Sequence, residues 1–231
     1  MVRKAGKIAF ALIVLLLLAG VFQGLLDRES GGWPGEEGGF PAAYTLLSAL
    51  GGIRQYLAYV FFIKTDNLHH AYYGSFEQEA ELLPYLVAVT YLDPHYVDAF
   101  YVGTEILYDL GKREEAFRFN LRGLELNPDS GDLKASLADL YLREKLYLEA
   151  AEMFREALKA GEMKLLSRDF VFMGLVASLK AAGRREEAAR ALDERVSNLR
   201  AVLATEELDP VIQADLVKGI NDLESLREAS R

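Results

Sequence analysis

Hydrophobic positions fall into three patterns along the chain, each predicting a different element. The first is Ile8–Leu26, 19 residues without a charge. At roughly 1.5 Å per residue it reaches about 28 Å as a helix, close to the thickness of a bilayer's hydrocarbon core. The second is Ala42–Ile63, apolar but interrupted by Gly51, Gly52, Arg54 and Gln55. A charge at its centre disfavours a second membrane span. This stretch instead predicts a short helix before Gly51 and a long buried helix after Gly52, with Tyr56, Leu57, Tyr59, Val60, Phe61, Phe62 and Ile63 crowded together. The third pattern fills the rest: apolar and small residues at helical spacing, punctuated by Gly111, Pro94, Pro128 and Gly183. At the end, Asp209-Pro210 reads as an N-cap followed by proline at the first helical position. The helix after it carries an apolar stripe at Ile212, Leu216, Ile220 and Leu223, with Asp215, Lys218 and Asp222 outside the stripe.

The third pattern repeats. Pro94 to Pro128 and Ala116 to Ala150 are both 34 residues apart, while Ala150 to Ala188 is 38. Four extra residues therefore lie in the Lys159–Arg168 loop. With Val97 as position 1, Gly103 and Thr104 fall at 7 and 8, Leu107 at 11, Gly111 at 15, Ala116 at 20, Gly123 at 27 and Pro128 at 32. This spacing resembles the tetratricopeptide repeat, a helix–turn–helix unit of roughly 34 residues. In such a unit small side chains let two helices approach closely, a glycine turns the chain and a proline follows the second helix. A second copy starts at Gly131, with Leu137, Ala138 and Tyr141, then Tyr147, Ala150, Phe154 and Ala157. A looser one starts near Asp169, with Leu175, Val176, Leu179, Gly183, Ala188 and Leu192. A degenerate one starts at Ile63, with Tyr73, Leu82, Leu86 and Val89 in register and His69 and His70 where small residues are expected.

The resemblance implies an all-α fold: a right-handed α-solenoid of about four repeats over residues 42–204, with residues 205–231 as a capping helix. Residues 8–26 form a preceding transmembrane anchor. Residues 27–41 form a linker, since Ser30–Pro41 holds five glycines and two prolines. Arg3, Lys4 and Lys7 within residues 1–7 predict a cytoplasmic N-terminus and an extracytoplasmic repeat domain, a bacterial periplasm being the natural setting. A cleaved signal peptide is the rival reading, but Leu18-Ala19-Gly20 matches a cleavage site poorly. The whole arrangement resembles the membrane-anchored repeat proteins of bacterial envelopes.

In that family a groove is lined from the first helix of each repeat. The resemblance then implies a partner-binding surface of Asp98, Tyr101, Glu105, Tyr108 and Asp109, continued by Asp132, Ala135, Asp139, Leu142 and Arg143. An acidic and aromatic surface of this kind suits a partner segment carrying Lys or Arg, its stems lying on Tyr101 and Tyr108. The bland alternative is that these carboxylates only solvate an exposed face.

Charge and composition narrow the chemistry. The chain carries −9, and removing Arg3, Lys4 and Lys7 leaves −12 on the rest, which repels phosphate backbones and disfavours nucleic acid. With no cysteine, disulfides, thiolate zinc sites, c-type haem attachment and diacylglyceryl anchors are excluded. The three histidines invite a metal or haem reading, because Asp66 and His70 are spaced i,i+4 with His69 beside them and His95 follows Pro94. A catalytic ligand spacing such as HExxH is absent, so no metal, cofactor or catalytic residue is expected. Glu114-Glu115 and Glu186-Glu187 are expected at the starts of second helices, where carboxylates suit the positive helix end. The expected function is a scaffold that docks a partner protein in an envelope assembly. Two alternatives remain: a structural subunit buried through Tyr56–Ile63, and a haem- or metal-binding maturation factor using His69, His70 and His95.

Overall fold

The computed structural model describes residues 53–71, 80–161, 163–205 and 209–228. The expected anchor 8–26, the linker 27–41 and the start of the 42–204 segment lie outside the described residues, as does Tyr73. No helix among the described residues is long and apolar enough to cross a membrane. Every regular element among them is helical. The chain divides into two compact units, Met1–Pro128 and Asp129–Arg231.

In the first unit α1 (Ile53–Ala71) packs on α2 (Leu83–Leu92), which is entered through a 3-10 turn, Ala80–Leu82. Their core joins Ala58 with Leu82, Leu86, Val89 and Leu92, and reaches Ala99 and Ile106 of α3 (Val97–Asp109). Arg54 is buried, and its Nε donates to the Leu92 carbonyl 3.1 Å away. That bond satisfies a carbonyl which the end of α2 would otherwise leave open. The long helix expected after Gly52 does begin at Ile53 and runs through Ile63, where the 34-residue register starts its first repeat. The expectation that it is buried needs correction. Ala58 is inaccessible, whereas Tyr56 is 65% and Tyr59 54% exposed, with Ile53, Val60 and Ile63 also exposed.

Helices α3 and α4 (Arg113–Leu126) form the hairpin that the small-residue pattern predicts. A Cβ on Gly103 would lie 2.5 Å from Phe119 Cε1, and one on Gly123 would lie 2.8 Å from Phe100 Cγ. The two phenylalanines, centroids 5.2 Å apart, thus occupy space that only glycine opposite them leaves free. Gly111 takes φ +76° in the turn. There the Lys112 amide reaches back to the Leu107 carbonyl and the Gly111 amide to that of Tyr108, a Schellman closure. Glu114 and Glu115 lie in the first turn of α4 as expected. Asn120 is fully buried at the place held by Leu86 and Phe154 in the neighbouring repeats, and neither atom of its amide has a partner among the described residues.

The second unit holds α5 (Gly131–Arg143), α6 (Tyr147–Lys159), α7 (Arg168–Ala181), α8 (Arg185–Thr205) and α9 (Pro210–Glu228). Its core runs from Ala135 and Ala138 through Ala150, Phe154 and Ala157 to Val171, Leu175, Leu179, Ala188 and Leu192. Gly174 gives Phe154 room, since a Cβ there would sit 2.5 Å from Phe154 Cζ. Ser130 and Ser167 cap α5 and α7 by accepting from the amides of Leu133 and Phe170. The α5–α6 turn repeats the Schellman closure with Lys145, at φ +63°, in the position that Gly111 and Gly183 hold elsewhere.

Asp209 caps α9, accepting from the Val211 amide at 2.8 Å, with Pro210 first in the helix as expected. Ile220 is buried against α8, and the pairs Arg200–Glu224 and Arg227–Asp193 fasten the two helices. The capping stripe is shorter than expected, however. Ile212 is 52% exposed, because contact with α8 falls on the later turns of the helix.

Candidate functional site

Spacings of three and four residues place Asp98, Tyr101, Glu105 and Tyr108 on one face of α3. All four are half-buried and Asp109 is exposed, while the opposite face buries Ala99, Phe100, Gly103, Ile106 and Leu107. The hydrophobic face fixes the helix against α2 and α4, and so fixes how the acidic face is presented. The Arg113 guanidinium lies 5.9 Å from the centre of the Tyr108 ring. Tyr108 therefore already holds a cation of this chain at one ring face.

The acidic face continues toward α1 through Tyr96, a residue the repeat spacing did not single out. Its ring packs on Phe62 at 4.9 Å between centroids. Burial chiefly, and then the nearby Asp98, Tyr59 and Asp93, raise its phenol above the ordinary 10.0. Tyr59 and Asp98 are thus both electrostatic neighbours of one hydroxyl. The exposed aromatic face of α1 and the acidic face of α3 adjoin there. The repeat spacing does not join them, since Tyr59 lies ahead of the repeat that starts at Ile63.

The equivalent face of α5 is built differently. Asp132 is only 3% exposed, and its carboxylate accepts from the amides of Lys164, Leu165 and Leu166 at 2.8, 3.1 and 2.9 Å. Ala135 is inaccessible, Leu142 half-buried, and Arg143 pairs with Asp139 one turn away. Met163, from the same loop, packs over Gly131. The expected placement of Asp132 on an open surface is corrected: it is a structural residue that holds the long loop after α6. Of the expected α5 set, Asp139 and Arg143 remain accessible and neutralise each other.

Asp66, His69 and His70 lie on α1, but their side chains are outside the described residues. His95 Nδ1 is 3.1 Å from Asn127 Oδ1. Asn127 Nδ2 donates to the carbonyls of Pro94 and Gly123, both at 3.0 Å, so Oδ1 is the acceptor and Nδ1 carries the proton. His95 thereby links two interhelix turns, a structural role. No group of three metal-ligating side chains occurs among the described residues.

No protein-family model matches the chain, and no curated protein matches it. Solved structures do. The crystal structure of MamA protein superposes with a TM-score of 0.50 at 13% identity, covering 85% of this chain and 96% of that one. The MamA RS-1 ArsTM double mutant covers 75% of this chain and 97% of its own, at 16% identity and a TM-score of 0.48. MamA is a tetratricopeptide-repeat protein, and the helix pairs described above share its type of fold.

Proposed function

We propose that the protein is a non-catalytic docking scaffold, a right-handed α-solenoid held at a membrane by residues 8–26, with its repeats on the extracytoplasmic side. Its partner is another protein that presents a Lys- or Arg-containing segment. The observation that carries this reading is the face of α3, where Asp98, Glu105 and Asp109 alternate with Tyr101 and Tyr108 on a helix braced from behind. Carboxylates beside an aromatic ring give a guanidinium both a salt-bridge acceptor and a stacking surface. A fold of helix pairs that displays such faces is suited to extended protein segments.

The uncovered face of α1 supports a second reading, a structural subunit that buries Tyr56, Tyr59, Val60 and Ile63 in a larger complex. Photocrosslinking in intact membranes separates the two, with the photoreactive residue at Tyr101 or at Tyr56. A discrete partner captured from Tyr101, and lost in the Tyr101→Ala/Glu105→Lys variant, is the expected result. Adducts from Tyr56 alone would put the interface on α1 and end the docking proposal.

A further inference from the structure

The first unit carries a second surface of opposite charge. A groove of about 620 Å³ opens between the start of α2 and the outer face of α4. Leu83, Pro84 and Val87 form one wall, Leu107 and Phe119 the floor, and Lys112, Arg118 and Arg122 the rim. Val87 is 38% exposed although it lies beside buried Leu86 and Val89. Among the described residues Glu115 is the one acid of the lining; it pairs with Lys112 at 3.8 Å, and Arg122 reaches Glu125 outside the groove at 2.7 Å. Arg118 is exposed and has no partner among the described residues. Among the described residues the lining therefore sets three cations against one carboxylate, in a chain whose net charge is −9.

We infer that this groove docks an acidic protein segment with one bulky apolar anchor, separately from the α3 face. Apolar walls reward burial of a Leu- or Phe-sized side chain, and the spacing of Arg118 and Arg122 one turn apart on α4 matches carboxylates flanking that anchor. Nucleic acid would meet the same cations, but against the field of a strongly acidic chain and with nothing for the apolar floor to bury. The sequence hides the groove because its two walls come from helices in successive repeats.

The test uses the full chain in detergent micelles and an array of roughly 12-residue peptides, each with Leu or Phe flanked by Asp/Glu, by Lys or by Ser. Binding to the acidic set alone is expected, weakening with salt, and falling about tenfold or more in Arg118→Glu/Arg122→Glu. Val87→Asp should cut it comparably while helix content stays unchanged. Tyr101→Ala/Glu105→Lys should leave it intact, which distinguishes this surface from the α3 face. The inference fails if no peptide binds, if Lys and Ser peptides bind as well, or if the double-charge variant binds undiminished. It also fails if light scattering shows a dimer that the same variant dissociates, since the occupant would then be a second copy of this chain.

Discussion

Asp98 and Asp132 stand at the same place in two successive helix pairs, 34 residues apart, and their surroundings differ completely. Asp98 lies half-buried in the first turn of α3, on a face that stays accessible through Tyr101 and Glu105 to Asp109. Asp132, in the first turn of α5, is inaccessible and bonded to three consecutive amides. The difference arises beyond the helices themselves. The pair α3–α4 ends in a short turn, whereas α6 is followed by a longer loop that comes back over the start of α5. A repeat register thus assigns positions; what the following connection does decides whether a position is surface or core.

Removing the carboxylate should expose that contrast most strongly. Asp132→Ala leaves three partly buried donors without their charged acceptor and should cost about 3 kcal/mol in urea unfolding, against about 0.5 kcal/mol or less for Asp98→Ala. Equal costs would mean the loop amides find water as readily as the carboxylate. The glycines sharpen the same comparison. Gly174→Ala drives a Cβ into Phe154, which is buried and cannot swing away, so a loss of about 2 kcal/mol is expected. Gly103→Ala meets the half-buried Phe119, and ring movement plus alanine's better helix propensity should hold the loss to about 1 kcal/mol or below.

Two substitutions should stabilise, by about 1 kcal/mol each. Asn120→Leu replaces a buried amide in the first unit, without a partner among the described residues, with the kind of residue that Leu86 and Phe154 provide at equivalent places. Lys145→Gly relieves a left-handed lysine in the second unit's turn. A fall in thermal midpoint for either variant would contradict the account given of that position. The smallest effect concerns Tyr96. Its phenol is raised in the folded state, so its contribution is complete below the ordinary value of 10.0 and is lost as pH rises through the folded value. Tyr96→Phe should therefore flatten the alkaline end of the stability profile and leave it unchanged near neutrality.

The helix hairpins were legible because their determinants are local and periodic. Gly103, Gly111, Ala116 and Gly123 each report a close approach or a turn within one repeat, and the helices fall where that spacing puts them. Lys145 was legible in principle, lying 34 residues after Gly111 and 38 before Gly183. It escapes notice because lysine does not advertise a positive φ. The start of α1 was legible from Gly51-Gly52, whereas the bond from Arg54 to the end of α2, a contact 38 residues away in sequence, was not. The fate of Asp132 was hidden for the same reason, since its partners are backbone amides, which have no residue type to recognise. Sequence spacing located the acidic face of α3, yet it could not show Tyr96 joining that face to α1, nor the groove between α2 and α4.

The loop from Ala160 to Ser167 has a consequence for proteolysis. It is long and mostly exposed, and it contains Lys164 before the Arg168 that opens α7, so trypsin would be expected to nick it first. Yet its donors are gathered by Asp132, and the Arg168 guanidinium donates to the carbonyls of Leu158 and Ala160, both at 2.8 Å. A protease needs an extended backbone with its amides and carbonyls available, and here two charged side chains already occupy them. Cleavage after Lys164 must wait for the loop to peel away from α5. Its rate then becomes a direct gauge of that opening, and a sharp rise in Asp132→Ala would register the loss of the anchor before any change in global unfolding is measured.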